Sequence, residues 1–103
     1  MCDEIWIQLI VLAEIKAGFY GGTRQNRNEV LLQKLLAKAT VGVLLPSQET
    51  AEHHARIFVQ LKRAGSPIPD NDLWIAALAL EHDLRLITRD RHFERIPQLL
   101  RVR

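Results

Sequence analysis

The chain has 103 residues, 48% of them hydrophobic and 25% charged, with a net charge of +2, which favours one globular domain over residues 1–103 and excludes disordered or fibrous classes. Its longest nearly apolar run, residues 5–13 with Gln8 inside it, is far shorter than the about 20 residues of a membrane helix. Cys2 is the only cysteine, so we expect no intramolecular disulfide and no thiolate zinc site. Asp3 and Glu4 stand where a secretory signal would be basic, so we expect a cytoplasmic location.

The first half of the chain predicts two strands and three helices. Residues 5–10 are apolar and β-branched without a helical period, which favours a strand. Helix formers follow from Ala13, and the glycines at 18, 21 and 22 should end that helix. A second helix, with Asn26 or Asn28 as its cap, precedes a strand at 41–45. Ser47 should cap a helix at about 49–64.

The second half predicts a buried helix and two further strands. Asp70 opens a segment that is apolar on all sides over residues 73–80, as expected of a buried helix. Residues 84–88 should form the third strand, a short helix should follow near Phe93, and residues 100–102 should form an edge strand. Strands separated by helices predict a parallel α/β sheet.

Three acids lie just after predicted strands or at the start of the buried helix. Glu14 lies just past the first strand, Asp72 starts the buried helix, and Asp90 follows the strand at 84–88. Ligands of parallel sheets bind at the carboxyl ends of strands, so the three carboxylates should converge in one cleft. Oxygen ligands favour Mg²⁺ or Mn²⁺ over zinc, and such a cation can support phosphodiester hydrolysis.

Each acid also has a structural alternative. Asp70 and Asp72 both suit a helix N-cap, and Asp90 suits the cap of the short helix that follows it. Glu14 is harder to explain in this way, because its neighbours are apolar and an unpaired buried carboxylate is costly. The adjacent side chains of His53 and His54 should point about 100° apart on a helix and so cannot chelate one ion. We expect both to be surface residues.

Positive charge is concentrated near the last of these acids. Residues 85–103 hold six arginines against two acids, which suits a phosphate-bearing partner, although solvated surface helices would have the same composition. Arg89, Arg91 and Arg95 lie near the predicted cleft and are our candidates for nucleic-acid binding. Neither RNA nor DNA is singled out by these residues.

Three segments together resemble a known family. Residues 5–18 carry Leu-Ala-Glu-Ile, residues 68–77 read Ile-Pro-Asp-Asn-Asp-Leu-Trp-Ile-Ala-Ala, and residues 86–97 read Leu-Ile-Thr-Arg-Asp-Arg-His-Phe-Glu-Arg-Ile-Pro. The pattern resembles the PIN-domain ribonuclease toxins of the VapC type. The resemblance implies a three-layer fold with a short parallel sheet and helices on both faces. It also implies a magnesium-dependent endoribonuclease, often acting on transfer RNA and silenced by an antitoxin.

The resemblance also assigns residues. Glu14, Asp72 and Asp90 match three of the family's four acidic metal-site positions and are the expected catalytic and metal-binding residues. Thr88 matches the small polar residue beside the last acid. Asp70, Thr88 and His92 are auxiliary candidates, with His92 placed to contact a phosphate or assist a proton transfer.

One departure from the family pattern concerns its opening strand. Family members begin with an apolar strand that ends in Asp-Thr-Asn or similar, and that strand, central in the sheet, and its acid have no match here. We therefore expect a truncated PIN-like domain whose exposed strand edges favour homo-oligomers. The alternative to an RNA-cleaving toxin is a catalytically impaired remnant that acts only as a protein-binding or oligomerising module. Whether the chain is active as a ribonuclease then depends on whether the fourth acid is supplied.

Overall fold

The computed structural model of the chain describes residues 5–22, 25–88 and 90–102. It divides into two compact units, Met1–Leu45 and Pro46–Arg103. None of the helices in the described ranges combines the length and apolarity that crossing a bilayer requires.

The first unit is a pair of parallel strands with two helices between them in sequence. Strand β1, Ile5–Gln8, is followed by helices α1, Leu9–Tyr20, and α2, Gln25–Leu36, and then by strand β2, Val41–Leu44. Strands β1 and β2 pair in parallel, with Ile5 opposite Val41 and Gln8 opposite Leu44. The helical crossover is what parallel pairing needs, because a short hairpin cannot join parallel strands.

The helix boundaries of this unit differ from those predicted. The strand ends at Gln8 instead of residue 10, because α1 begins four residues earlier than the sequence suggests. A short apolar run does not distinguish a strand from a buried helix by periodicity. Gly18 lies inside α1, whose C-cap is Gly21. The prediction that Asn26 or Asn28 caps α2 is wrong, because the helix already begins at Gln25.

The second unit is built on two packed helices. Helix α3, Gln48–Arg63, packs against α4, Asp70–Glu81. Ser47 is the N-cap of α3, as predicted, and forms a capping box with Thr50. Helix α4 buries six of its twelve residues, all between Leu73 and Ala79, which confirms the helix that the all-round apolar segment predicts. The core is completed by apolar side chains of the two helices and the C-terminal segment, namely Ile57, Leu61, Leu73, Leu78, Phe93, Ile96 and Leu99.

The second unit ends in a small parallel pair. Strand β3, Leu86–Ile87, leads into a 3₁₀ helix, Arg91–Arg95, and strand β4, Arg101–Val102, pairs with β3. Strand β3 is shorter than the predicted 84–88. The Leu84 N–H is already bonded to Ala79 O of α4 at 2.9 Å, and Asp83 turns the chain with a φ of 54°. In both units the two parallel strands are separated in sequence by helical segments, which confirms the predicted α/β class.

Candidate metal centre

Asp72 lies in the first turn of α4. Pro69 is the N-cap residue of this helix, with a φ of −58°, and its carbonyl accepts the Leu73 N–H at 3.2 Å. Neither Asp70 nor Asp72 is therefore the N-cap, but both lie in the first turn of α4, where their charges complement the helix dipole as the structural alternative predicts. Only 13% of the Asp72 side chain is exposed, so its carboxylate is largely withdrawn from water and needs a partner.

Asp90 lies directly before the 3₁₀ helix and is its N-cap. Its Oδ1 accepts the His92 backbone N–H at 2.9 Å, and its own N–H donates to Thr88 Oγ1 at 3.0 Å. The capping alternative for Asp90 is confirmed, and it does not compete with a role in a site. The two hydrogen bonds instead fix the position of the carboxylate.

His92 lies between these two acids. Its Nδ1 is 2.8 Å from Asp72 Oδ2 and 3.2 Å from Asp90 Oδ1, and 38% of its side chain is exposed. One ligand atom from each of the three residues lies within 4.8 Å of the other two. Two carboxylates held this close repel each other, and a shared N–H or a bound cation relieves that repulsion.

The donor chemistry of Asp72, Asp90 and His92 fits a divalent cation. Two carboxylate oxygens and one imidazole nitrogen converge from α4 and the segment after β3. Carboxylates suit Mg²⁺ and Mn²⁺, and imidazole is accepted by transition metals. Of the three carboxylates that the strand-end argument brings together, the structure of the second unit shows Asp72 and Asp90 in proximity. The sequence placed His92 near them only as an auxiliary residue.

Asp70, two residues before Asp72, has a different partner. Its side chain is 71% exposed, and its Oδ1 is 2.9 Å from His54 Nε2. The His54 ring lies over Trp74 with the ring centroids 4.3 Å apart, and 18% of the His54 side chain is exposed. His54 is therefore half-buried and has two partners, where the sequence predicts a surface residue. Asp70 links the start of α4 to α3.

The other predicted residues lie in varied surroundings. Glu14 is exposed on α1, in the first unit, so the argument that its carboxylate is buried among apolar neighbours is wrong. Arg89 falls outside the described residues. Arg91 is exposed directly after Asp90. Arg95 is also exposed, but its Nη1 donates to Pro67 O at 2.6 Å and so braces the loop before α4.

Comparison with known proteins identifies the fold. The profile of the PIN domain matches residues 1–99, and so spans both units. The chain belongs to the PIN-domain family. Among curated proteins, this PIN domain is 35% identical over 98 residues to Ribonuclease VapC1 of Haemophilus influenzae strain R2866, a match covering 94% of this chain and 72% of the relative. It is 30% identical over 91 residues to Ribonuclease VapC5 of Mycobacterium tuberculosis, covering 88% and 67%.

Comparison with solved structures identifies the same family. The PIN domain superposes on VapBC-1 from nontypeable Haemophilus influenzae with a TM-score of 0.84 and 31% identity, over 96% of this chain and 73% of the other. DNA-bound VapBC from Salmonella typhimurium gives a TM-score of 0.86 and 27% identity, over 98% and 76%. The resemblance to VapC-type PIN domains seen in the sequence is thereby confirmed.

Proposed function

We propose that this PIN domain is a metal-dependent endoribonuclease of the VapC toxin type that hydrolyses RNA phosphodiester bonds. The observation that carries the proposal is the convergence of Asp72 and Asp90 from two separate elements, with His92 Nδ1 between them. The curated relatives named as VapC ribonucleases support the choice of RNA as the substrate. Transfer RNA is the RNA class to test first.

Asp72, Asp90 and His92 offer the donor atoms for the cation, and Glu14 is proposed as a further carboxylate because of the family resemblance. These residues would hold Mg²⁺ or Mn²⁺, which would supply activation of water and neutralisation of the charge that develops on the phosphate. Thr88 holds the backbone of Asp90, which keeps the carboxylate turned toward Asp72. Arg91, exposed beside Asp90, is proposed to bind a substrate phosphate.

An antitoxin is the proposed protein partner. The structures that this chain resembles are complexes of the VapBC type, and a ribonuclease acting in the cytoplasm would need such restraint. Co-expression with the product of a neighbouring reading frame should relieve growth inhibition by the active protein. Growth inhibition that is the same with and without every such candidate would contradict this part of the proposal.

The test of the proposed function is a cleavage assay on fluorescent RNA with Mg²⁺ or Mn²⁺ and with a chelator. Asp72→Asn and Asp90→Asn should each abolish measurable cleavage. One carboxylate about 4 Å from a divalent ion contributes roughly 8 kcal/mol of attraction at an effective dielectric of 20. Glu52→Gln removes an exposed carboxylate from α3 and serves as the matched control, with activity equal to that of the wild type.

Three outcomes of this assay separate the candidate functions. Cleavage that survives Asp72→Asn combined with Asp90→Asn would overturn the assignment of the site. Equal cleavage of single-stranded DNA of the same sequence would overturn the restriction to RNA. A wild-type chain that binds an antitoxin but cleaves no nucleic acid under any metal condition would support the alternative of a protein-binding module.

A further inference from the structure

His92 differs from Asp72 and Asp90 because it offers the candidate centre an imidazole nitrogen and not a carboxylate oxygen. Its Nδ1 approaches oxygens of both Asp72 and Asp90, at 2.8 and 3.2 Å. A histidine that only supported one carboxylate would need one such contact. The two contacts place a nitrogen donor at the position where the two carboxylates face each other.

We propose that His92 is a direct metal ligand through Nδ1 and that it gives this centre a preference for Mn²⁺ over Mg²⁺. The inference rests on the proposed metal-dependent function and makes its ion specificity explicit. An all-oxygen set suits Mg²⁺, which is a hard cation, whereas imidazole nitrogen favours transition metals. His92 would therefore add affinity for Mn²⁺ with little gain for Mg²⁺.

The spacing of the donor atoms supports direct ligation. Two ligands at right angles around an ion with bonds of about 2.0–2.1 Å lie roughly 2.9 Å apart. The separations of Nδ1 from Asp72 Oδ2 and Asp90 Oδ1 bracket this value. Nδ1 thus stands from each carboxylate oxygen at the spacing of adjacent ligands, and all three donor atoms lie within 4.8 Å of one another.

The local backbone supports the same assignment. The His92 N–H donates to Asp90 Oδ1, which is the oxygen that Nδ1 also approaches. His92 belongs to the first turn of the 3₁₀ helix that Asp90 caps. The cap therefore fixes the ring and the carboxylate relative to each other, so little rearrangement of the two residues is needed on binding.

The test measures binding of Mn²⁺ and Mg²⁺ to the purified chain by calorimetry, for the wild type and for His92→Ala. The variant should lose at least about tenfold in Mn²⁺ affinity, the lower end of the cost of losing even an outer-shell partner, while its Mg²⁺ affinity changes less. His92→Asn, which offers an oxygen, should retain Mg²⁺ binding but not the preference for Mn²⁺.

His82→Ala is the matched control. His82 is exposed to 40%, close to the value for His92, and its Nε2 lies 3.5 Å from one carboxylate oxygen, of Glu81. Its replacement should leave both metal affinities unchanged. Circular dichroism of each variant verifies that the helices are retained.

Cobalt substitution separates a ligand from a neighbouring hydrogen-bond donor. In the Co²⁺-loaded wild type, an imidazole ligand should give a strongly shifted, exchangeable proton resonance from its Nε2–H, which His92→Ala removes and His82→Ala keeps. Mn²⁺ binding that is equal in the wild type and His92→Ala, without such a resonance, would overturn the proposal and leave the proposed function intact. A wild type that binds no divalent ion would instead contradict the proposed function itself.

Discussion

The buried hydroxyl of Thr50 gives a quantitative test of how the second unit holds α4. Thr50 is fully buried, donates to Glu81 Oε1 at the end of α4, and accepts the Ser47 N–H at 2.8 Å. Thr50→Val keeps the shape of the side chain and removes both bonds. A hydrogen bond to a charged group is worth about 1.5–3 kcal/mol and a capping bond typically about 1, so the expected loss is about 2–4 kcal/mol of unfolding free energy.

The assay is urea and thermal unfolding followed by far-ultraviolet circular dichroism. At roughly 4–8 °C per kcal/mol for a chain of this size, the melting temperature should fall by more than about 8 °C. Thr40→Val makes the same chemical change at an exposed position and should change the unfolding free energy by less than about 0.5 kcal/mol. Equal stability of the two variants would refute the role assigned to the Thr50–Glu81 bond.

Two further predictions concern the first unit and the substrate. Gly42→Ala would place a Cβ 2.5 Å from the Trp6 ring and should lower the unfolding free energy by about 1–3 kcal/mol. Gly18→Ala, with open space at its Cβ inside α1, should raise the unfolding free energy by up to about 1 kcal/mol. Unfolding curves that rank the two variants the other way would contradict the packing described. Arg91→Ala should lower the slope of log affinity for RNA against log salt by about 1, and Arg95→Ala, whose guanidinium is already bonded to a backbone carbonyl, should lower it less. Equal slopes for all three proteins would exclude a phosphate contact at Arg91.

The elements that the sequence predicts well are those whose signals are local. Ser47 is followed three residues later by Thr50, and the two side chains form the capping box that starts α3. The all-round apolar segment predicts a buried α4 because no polar face is available to meet water. The end of β1 is missed because the residues at 9 and 10 are apolar in both a strand and a buried helix, so only tertiary packing decides between them.

The sequence likewise predicts only some of the contacts of the candidate site. Asp90 follows β3, as the rule that ligands gather at the carboxyl ends of parallel strands predicts, whereas Asp72 is carried beside it by α4, which follows α3 and not a strand. The contacts of the two histidines do not follow from that rule, because His92 meets Asp72 from 20 positions away and His54 meets Asp70 from 16. Each of these histidines therefore acquires its distant carboxylate partner only through the packing of separate elements.

The first turn of α4 explains how one short motif supports both the fold and the site. Residues two apart on a helix point about 200° apart, so Asp70 and Asp72 face nearly opposite sides. Asp70 bonds to His54 of α3, and Asp72 meets His92. At the far end of α4, Glu81 accepts bonds from Ser47 and Thr50. Helix α4 is thus tied to α3 and its cap at both ends, and a carboxylate carried on a helix held in this way is positioned before any cation arrives.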